Sequence, residues 1–344
     1  MAEMLKLDFY ESGMGETILI QMPSGGLGII DAAAPSISRP SIGQLVNGRH
    51  IHFACLTHPH LDHGEDLVPL LQSGIQIDEF WHTIGHLPSF VFQATEANGY
   101  PTNLSELILE QQVHWTDFLV DLYAEVLRRR NAGLIIRVLH GQRDAITIDG
   151  VDFYFLGPDE DVIQRLSDIT SRQFRGEDLD LPDLNDLSAV IYIKYGNSGV
   201  LLCSDAPKKV WVNASAKIAR CNLARVQLLK IPHHGSRDAL NFRNGPRQRS
   251  YLQHCLSDQK TTTILFAGDS KHPNLDVYKK VKEQSKIFCV SNGLKKILSN
   301  SLNIDPDEGE EVTLAPPCIP HIQVELLDDG TYRTVPSVPC SLCV

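Results

Sequence analysis

The sequence predicts a mixed α/β protein, and three observations carry that prediction. Apolar or alternating runs of strand length recur along the chain, as in Leu5 to Tyr10, Thr17 to Met22, Val151 to Leu156 and Val226 to Ile231. Helical spacing appears between such runs, from Gly64 to Leu71 and from Ser105 to Arg130. Two of the apolar runs end in histidine-rich loops, which puts ligand chemistry at strand ends.

Taken in order, Leu5 to Tyr10 and Thr17 to Met22 form an expected antiparallel pair, and a third strand, Leu27 to Ile30, ends at Asp31. The next run, His52 to Leu56, leads into Thr57-His58-Pro59-His60-Leu61-Asp62-His63-Gly64-Glu65-Asp66. Three imidazoles and several carboxylates in so short a loop suit zinc, with manganese or iron favoured as carboxylates are added. A tight loop can turn His58 and His60 to one side and Asp62 and His63 to another, so that two neighbouring metals share it. A helix follows from Gly64, then a strand from Ile75 to Trp81 near His82 and His86, which read chiefly as ordinary hydrogen-bonding histidines.

Residues 88–134 are expected to be a helical insertion, a lid over the site or a surface for a second copy or a protein partner. Strands resume at Ile135 to Leu139, Ala145 to Ile148 and Val151 to Leu156, the last two joined by the hairpin signal Asp149-Gly150. A polar insertion spans about 159–186, and two strands, Ser188 to Tyr195 and Val200 to Ser204, come next. The second of these delivers Asp205, placed to bridge two cations and offset their repulsion. Val226 to Ile231 then ends in Pro232-His233-His234-Gly235-Ser236, a second strand that hands histidines to a glycine turn. An acidic, proline-rich linker at 305–317 precedes a C-terminal hairpin around Asp328-Asp329-Gly330. The expected division is a hydrolase domain at 1–300 and a linker with extension at 301–344.

Composition sets the outer bounds. The chain has 344 residues, 42% hydrophobic and 21% charged, as in a globular protein with a large core. No apolar run approaches the roughly eighteen residues of a membrane span, and Met-Ala-Glu-Met-Leu-Lys lacks a signal-peptide core. A cytoplasmic protein without a membrane partner is expected. Eight scattered cysteines, mostly in apolar runs, fit a reducing compartment, and Cys340 and Cys343 read as tail residues rather than a zinc knuckle. The net charge of -11 hides a segregation: residues 208–296 hold 18 Lys and Arg against 5 Asp and Glu. That segment is either a solvated face balanced by acidic neighbours or a polyanion-binding surface for nucleic acid or another phosphodiester.

His58-x-His60-x-Asp62-His63 resembles the signature of the metallo-β-lactamase superfamily of hydrolases. The resemblance implies an αββα sandwich with a one- or two-metal centre at one sheet edge. It implies that Asp31 orients the histidine loop, and that the Pro-x-His-Gly turn supplies a second-metal ligand. His234 is the first choice for that ligand and His233 is left to substrate or supporting contacts, with the two roles open to exchange. Over roughly residues 5 to 292, the inserted helices excluded, the order of motifs is similar to ComEC-type competence proteins and their soluble relatives. The matching features are Gly157-Pro158, Asn185-x-x-Ser188, Ser204-Asp205, His-His-Gly-Ser and His272-Pro273. The chain departs from that group with Glu16 and Ala32-Ala33-Ala34, and shares with it the lack of a histidine at Gly157-Pro158.

On that resemblance, the expected function is phosphodiester hydrolysis, most simply of DNA or other nucleic acid, by a metal-activated hydroxide. His58, His60 and Asp205 are expected at a first divalent metal, and Asp62, His63, His234 and Asp205 at a second, zinc first and manganese as the other candidate. Asp62 is expected to orient water or accept its proton, His272 to protonate the leaving oxygen, and Ser236 and Arg237 to support or contact substrate. Arg243, Arg247, Arg249 and Lys271 add phosphate-binding cations. The rival enzyme reading is hydrolysis of an ester, thioester or lactone, and the rival of another class is a partner-binding scaffold.

Overall fold

The computed structural model describes residues 4–12, 15–36, 39–85, 117–174, 177, 183–210, 214, 217–218, 223, 225–240, 261–266, 272–290 and 321–335. The chain first lays down β1 (Leu5–Tyr10), β2 (Thr17–Gln21) and β3 (Leu27–Ala32) as an antiparallel meander. It continues with β4 (Ile51–Leu56), β5 (Ile77–His82) and β6 (Ile135–Val138), all parallel. A second sheet takes β7 (Ile146–Ile148), β8 (Val151–Gly157), β9 (Val190–Tyr195) and β10 (Ser198–Leu202) antiparallel, then β11 (Leu228–Lys230), β12 (Thr262–Leu265) and β13 (Lys286–Cys289) parallel. The chain then returns to the first sheet with β14 (His321–Leu326) and β15 (Tyr332–Val335).

Three apolar layers show how these sheets are stacked. Between the sheets lie Phe9, Ile18, Phe53, Trp81, Phe153, Ile191, Ile193 and Ile322, with Phe53 and Trp81 stacked at 3.8 Å. On the outer face of the first sheet, Ile29, Ala54, Leu56 and Phe80 pack against helices. Those helices are α1 (Ile42–Val46), the short α2 (Leu61–Gly64) with α3 (Leu67–Gln72), α4 (Asp117–Arg130) and α5 (Glu160–Phe174). Beyond the second sheet, after a short α6 (Arg237–Leu240), Val277 and Val281 of α7 (Leu275–Gln284) cover Leu229, Leu265 and Ile287. Helices, sheet, sheet and helices make an αββα sandwich, as a mixed α/β chain must bury both faces of its parallel strands.

Two expected insertions are partly described. Of 88–134, the described helix α4 presents Leu119, Leu122, Tyr123, Val126 and Leu127 to the helix-covered core, so this part is structural filling. Residues 88–116, and His86 before them, lie outside the described residues, as do Arg243, Arg247, Arg249, Lys271, the 305–317 linker, Cys340 and Cys343. The 159–186 stretch begins as α5, whose Ile163 and Leu166 are buried in the same core. The C-terminal hairpin pairs with β1 along its whole length, from Leu5↔Leu326 to Tyr10↔His321, and so extends the first sheet. No helix among the described residues is long and apolar enough to cross a membrane.

Candidate metal centre

Strand ends deliver the site. Asp31 closes β3 in a left-handed conformation (φ 55°) that aspartate tolerates better than a branched residue. Its buried carboxylate accepts hydrogen bonds from Thr57 N at 2.8 Å and Thr57 Oγ1 at 2.6 Å, and meets His63 Nδ1 at 2.7 Å. The loop after β4 is thereby tied to the end of β3. Asp66 fastens its far side, accepting from Ile42 N and pairing with the buried Arg39 guanidinium at 3.5 Å. Gly15 presses on this loop so closely that a Cβ there would lie 1.7 Å from the Asp62 carbonyl oxygen. From the second sheet, β10 leads to Ser204 and Asp205, and its parallel neighbour β11 leads to His233 and His234. Parallel neighbours end at one edge, so the two loops meet the histidine loop there.

Buried there are His58, His63 and Asp205, which each offer a ligand atom within 4.8 Å of the others. His63 Nε2 lies 3.7 Å and His234 Nε2 3.5 Å from Asp205 Oδ2, and His58 Nε2 lies 3.0 Å from His60 Nδ1. The opposite ring nitrogens are occupied by protein. His63 Nδ1 meets Asp31, His58 Nδ1 lies 3.1 Å from Ser204 Oγ, and His234 Nδ1 lies 3.3 Å from the Phe266 carbonyl oxygen. Metal-bound histidines are held in this way, one nitrogen fixed by the protein and the other free for the ion.

A divalent metal fits this donor set. His63 Nε2 and Asp205 Oδ1 are buried without a hydrogen-bond partner, a defect that costs about 1–3 kcal/mol per group when nothing satisfies it. Two nitrogens bound tetrahedrally to one zinc at about 2.0–2.1 Å stand roughly 3.3 Å apart, close to the spacings found here. A lone pair from each of these atoms would be satisfied by one cation.

The electrostatics are those of an anion-anchored histidine cluster. Burial lowers the His63 pKa, but Asp31 and Asp205 together outweigh it and raise the pKa well above the usual histidine value. Burial would raise the Asp205 pKa, and His234 and His63 overcome it and hold it well below the usual carboxylate value. His58 goes the other way, pushed well down by burial and by His63.

The predicted residues are gathered unevenly. His58, His60, His63, Asp205 and His234 form one contiguous cluster, with Asp31 behind it. Asp62 is half-buried at its rim and acts electrostatically on His60. The expected split of ligands differs from the geometry. His63 stands with His58 and Asp205, because Asp31 holds its other nitrogen, while Glu16 joins Asp205 and His234. His234, rather than His233, faces Asp205; His233 is half-buried and stacks on His272 at 5.8 Å. Both turn histidines are left-handed, with φ of 45° and 51°. Ser236 is buried with its N–H on the His233 carbonyl at 2.7 Å, and Arg237 is exposed beside it. His82 is bound to Tyr123 Oη at 3.2 Å.

Sequence reasoning missed four groups. Glu16 stands in the sequence only as a departure from a motif, yet it lies buried in the cluster and ion-pairs with Lys230. Lys230, fully buried in β11, also donates to the Ser204 carbonyl oxygen at 3.0 Å. Thr57 and Ser204 contact each other at 2.6 Å between the two loops. The available signal was a charge inside an apolar strand run for Lys230, and a hydroxyl immediately before a ligand for the other pair. Several cations of the basic segment are internally paired: Lys209 with Asp186, Lys217 with Asp159 and Lys230 with Glu16.

No family model and no curated protein matches the chain. Solved structures that are similar include the metallo-beta-lactamase fold protein YhfI from Bacillus subtilis, at 11% identity and TM-score 0.33, over 65% of this chain and 70% of that one. A diphosphatase from the PhnP family is similar at 12% identity and TM-score 0.36, over 84% of this chain and 86% of that one. Zn(2+)-bound PqqB from Methylobacterium extorquens is similar at 10% identity and TM-score 0.39, over 79% and 84%. These likenesses stand beside a two-sheet α/β sandwich that the chain's own strand order and core layers establish.

Proposed function

We propose that the chain is a metal-dependent hydrolase that cuts phosphodiesters, with nucleic acid as the favoured substrate and zinc or manganese as the metal. The observation that carries the metal-dependent reading is the buried cluster in which His63 Nε2 and Asp205 Oδ1 lack any other partner. A scaffold has no physical use for such unsatisfied buried polar atoms. The phosphodiester preference rests on less: exposed Arg237 beside the cluster, the basic 208–296 segment and the ComEC-like order of motifs. Cytoplasmic location, domain limits at 300 and 301, and pairing through the helical insertion belong to the same proposal.

His58, His60, His63, Asp205 and His234 would hold the ions, with Asp62 and Glu16 as further carboxylates at the rim and floor. Bound divalent metals supply Lewis-acid polarisation of a phosphoryl oxygen and make water acidic enough to react near neutral pH. The chain does the rest. Asp31, Thr57 and Ser204 fix the rings of His63 and His58, so little reorganisation is needed when charge develops. Asp62, at the open rim, accepts the proton released from water. Arg237 neutralises phosphate charge, and His272, stacked on His233, donates a proton to the leaving oxygen.

The test is cleavage of single-stranded DNA, duplex DNA, RNA and bis(p-nitrophenyl) phosphate by chelated protein with zinc or manganese restored, beside Asp205→Ala. Metal-dependent cleavage that disappears in the variant is expected. Metal binding without cleavage of any phosphodiester overturns the substrate class and turns attention to carbonyl esters. Absence of metal binding overturns the hydrolase.

A further inference from the structure

At the opposite edge of the first sheet lies a second group of ligating side chains, at the N-terminal starts of β4 and β5. His50 Nε2, His52 Nδ1 and a carboxylate oxygen of Asp78 all lie within 4.8 Å of one another. His50 Nε2 is 2.8 Å and His52 Nδ1 3.5 Å from Asp78 Oδ2. The strand register makes the convergence: His52 and Asp78 sit between the paired positions Ile51↔Ile77 and Phe53↔Glu79. His50 and His52 are two apart, the spacing that returns side chains to one side of an extended chain.

The rings are held in place. His50 and His52 stand edge to face at 4.7 Å, and His52 is seated against Gly26, where a Cβ would come 2.2 Å from Nε2. Gln76 Nε2 donates to the other Asp78 oxygen at 3.3 Å, which steadies the carboxylate. β4 runs from Ile51 to Leu56, so at about 3.3 Å per residue the group is roughly 20 Å from the histidine loop. It cannot share an ion with that centre.

We infer that His50, His52 and Asp78 form a separate site for a divalent transition metal, zinc or copper(II). Imidazole suits both ions, and two histidines with one carboxylate and a water form a known zinc ligand set. The 2.8 and 3.5 Å separations from Asp78 match those of ligands about 2.0–2.2 Å from a common ion. An ion there would tie the start of β4 to the start of β5 and play no part in hydrolysis. The inference stands whether or not the central cluster is a hydrolase.

The test uses the full chain, chelated and dialysed, titrated calorimetrically with Zn2+ and, separately, followed by copper(II) electron paramagnetic resonance. His50→Gln and Asp78→Asn, singly and together, are compared with Asp205→Ala, with circular dichroism to check folding. The double variant is expected to lose one titration step and the two-nitrogen copper signal, while its hydrolytic activity is unchanged and Asp205→Ala keeps the step. His50→Gln alone should reduce the copper signal to one nitrogen. Equal zinc stoichiometry and an unaltered copper signal in wild type and double variant would overturn the inference, as would a step lost only in Asp205→Ala.

Discussion

Asp31 shows how one buried carboxylate can organise a cluster through its hydrogen bonds. Its two oxygens hold Thr57 and His63, so Asp31→Asn should leave His63 free to rotate and lose the anionic partner that strengthens it as a ligand. Zinc affinity, measured by competition with a chromophoric chelator, should fall about 10–100-fold while the circular dichroism spectrum is retained. His82 is the contrasting case, a histidine that serves packing. Burial pushes its pKa down to about 3 from the usual 6.5. The folded value is the lower one, so the unfolded chain takes up this proton first as pH falls. His82's contribution is complete above the unfolded pKa and is lost between pH 6.5 and 3, at about 1.4 kcal/mol per unit. Urea midpoints at pH 7 and pH 5 should therefore drop further for wild type than for His82→Gln; parallel drops would show that His82 is not held neutral.

At the scale of elements, the end of β11 in the second sheet is joined to the residue before β2 in the first by a charge pair that is safe only while complete. Lys230 and Glu16 are both buried. Lys230→Met leaves Glu16 uncompensated and should cost about 3–5 kcal/mol in urea unfolding. Adding Glu16→Gln should recover much of that loss, and a simple sum of the two single effects would refute the pairing. The C-terminal hairpin is equally bound into the core. Ile322, Val324 and Leu326 are fully buried between the sheets, and each contributes roughly 1.5–3 kcal/mol. Deleting residues 318–344 removes them and bares the hydrogen-bonding edge of β1. Loss of near-ultraviolet circular dichroism and aggregation on size exclusion are expected, and a monomeric, cooperatively folding truncation would contradict this.

For the whole molecule, the two sheets meet at the centre: the first brings Asp31 and the histidine loop, the second Asp205 and His234. An ion held by His58, His63, Asp205 and His234 would link the halves of the sandwich and would be coupled to global stability. At a hundred times its dissociation constant it adds about 2.7 kcal/mol. Chelation should lower the melting temperature by several degrees, reversed by zinc in wild type but far less in Asp205→Ala. The acidic chain with its basic segment adds an ionic-strength signature. If nucleic acid is the substrate, KM should rise steeply with salt while kcat changes little.

The sequence by itself determined what is local. Strand-length apolar runs, Asp149-Gly150, and ligands placed where such runs stop were legible because period and turn chemistry are properties of neighbouring residues. That is why His58, His60, His63, Asp205 and the two turn histidines stood out in the sequence, while the two-sheet arrangement and the choice of His234 came from the resemblance to the metallo-β-lactamase superfamily. Only the tertiary structure decided the rest. Glu16 meets Lys230, His63 sides with His58, His82 finds Tyr123, and the last hairpin pairs with the first strand. Apart from His58 and His63, which share one loop, none of these partners is near in sequence. Which buried charge faces which is chosen by how the two sheets stack, and no local pattern carries that information.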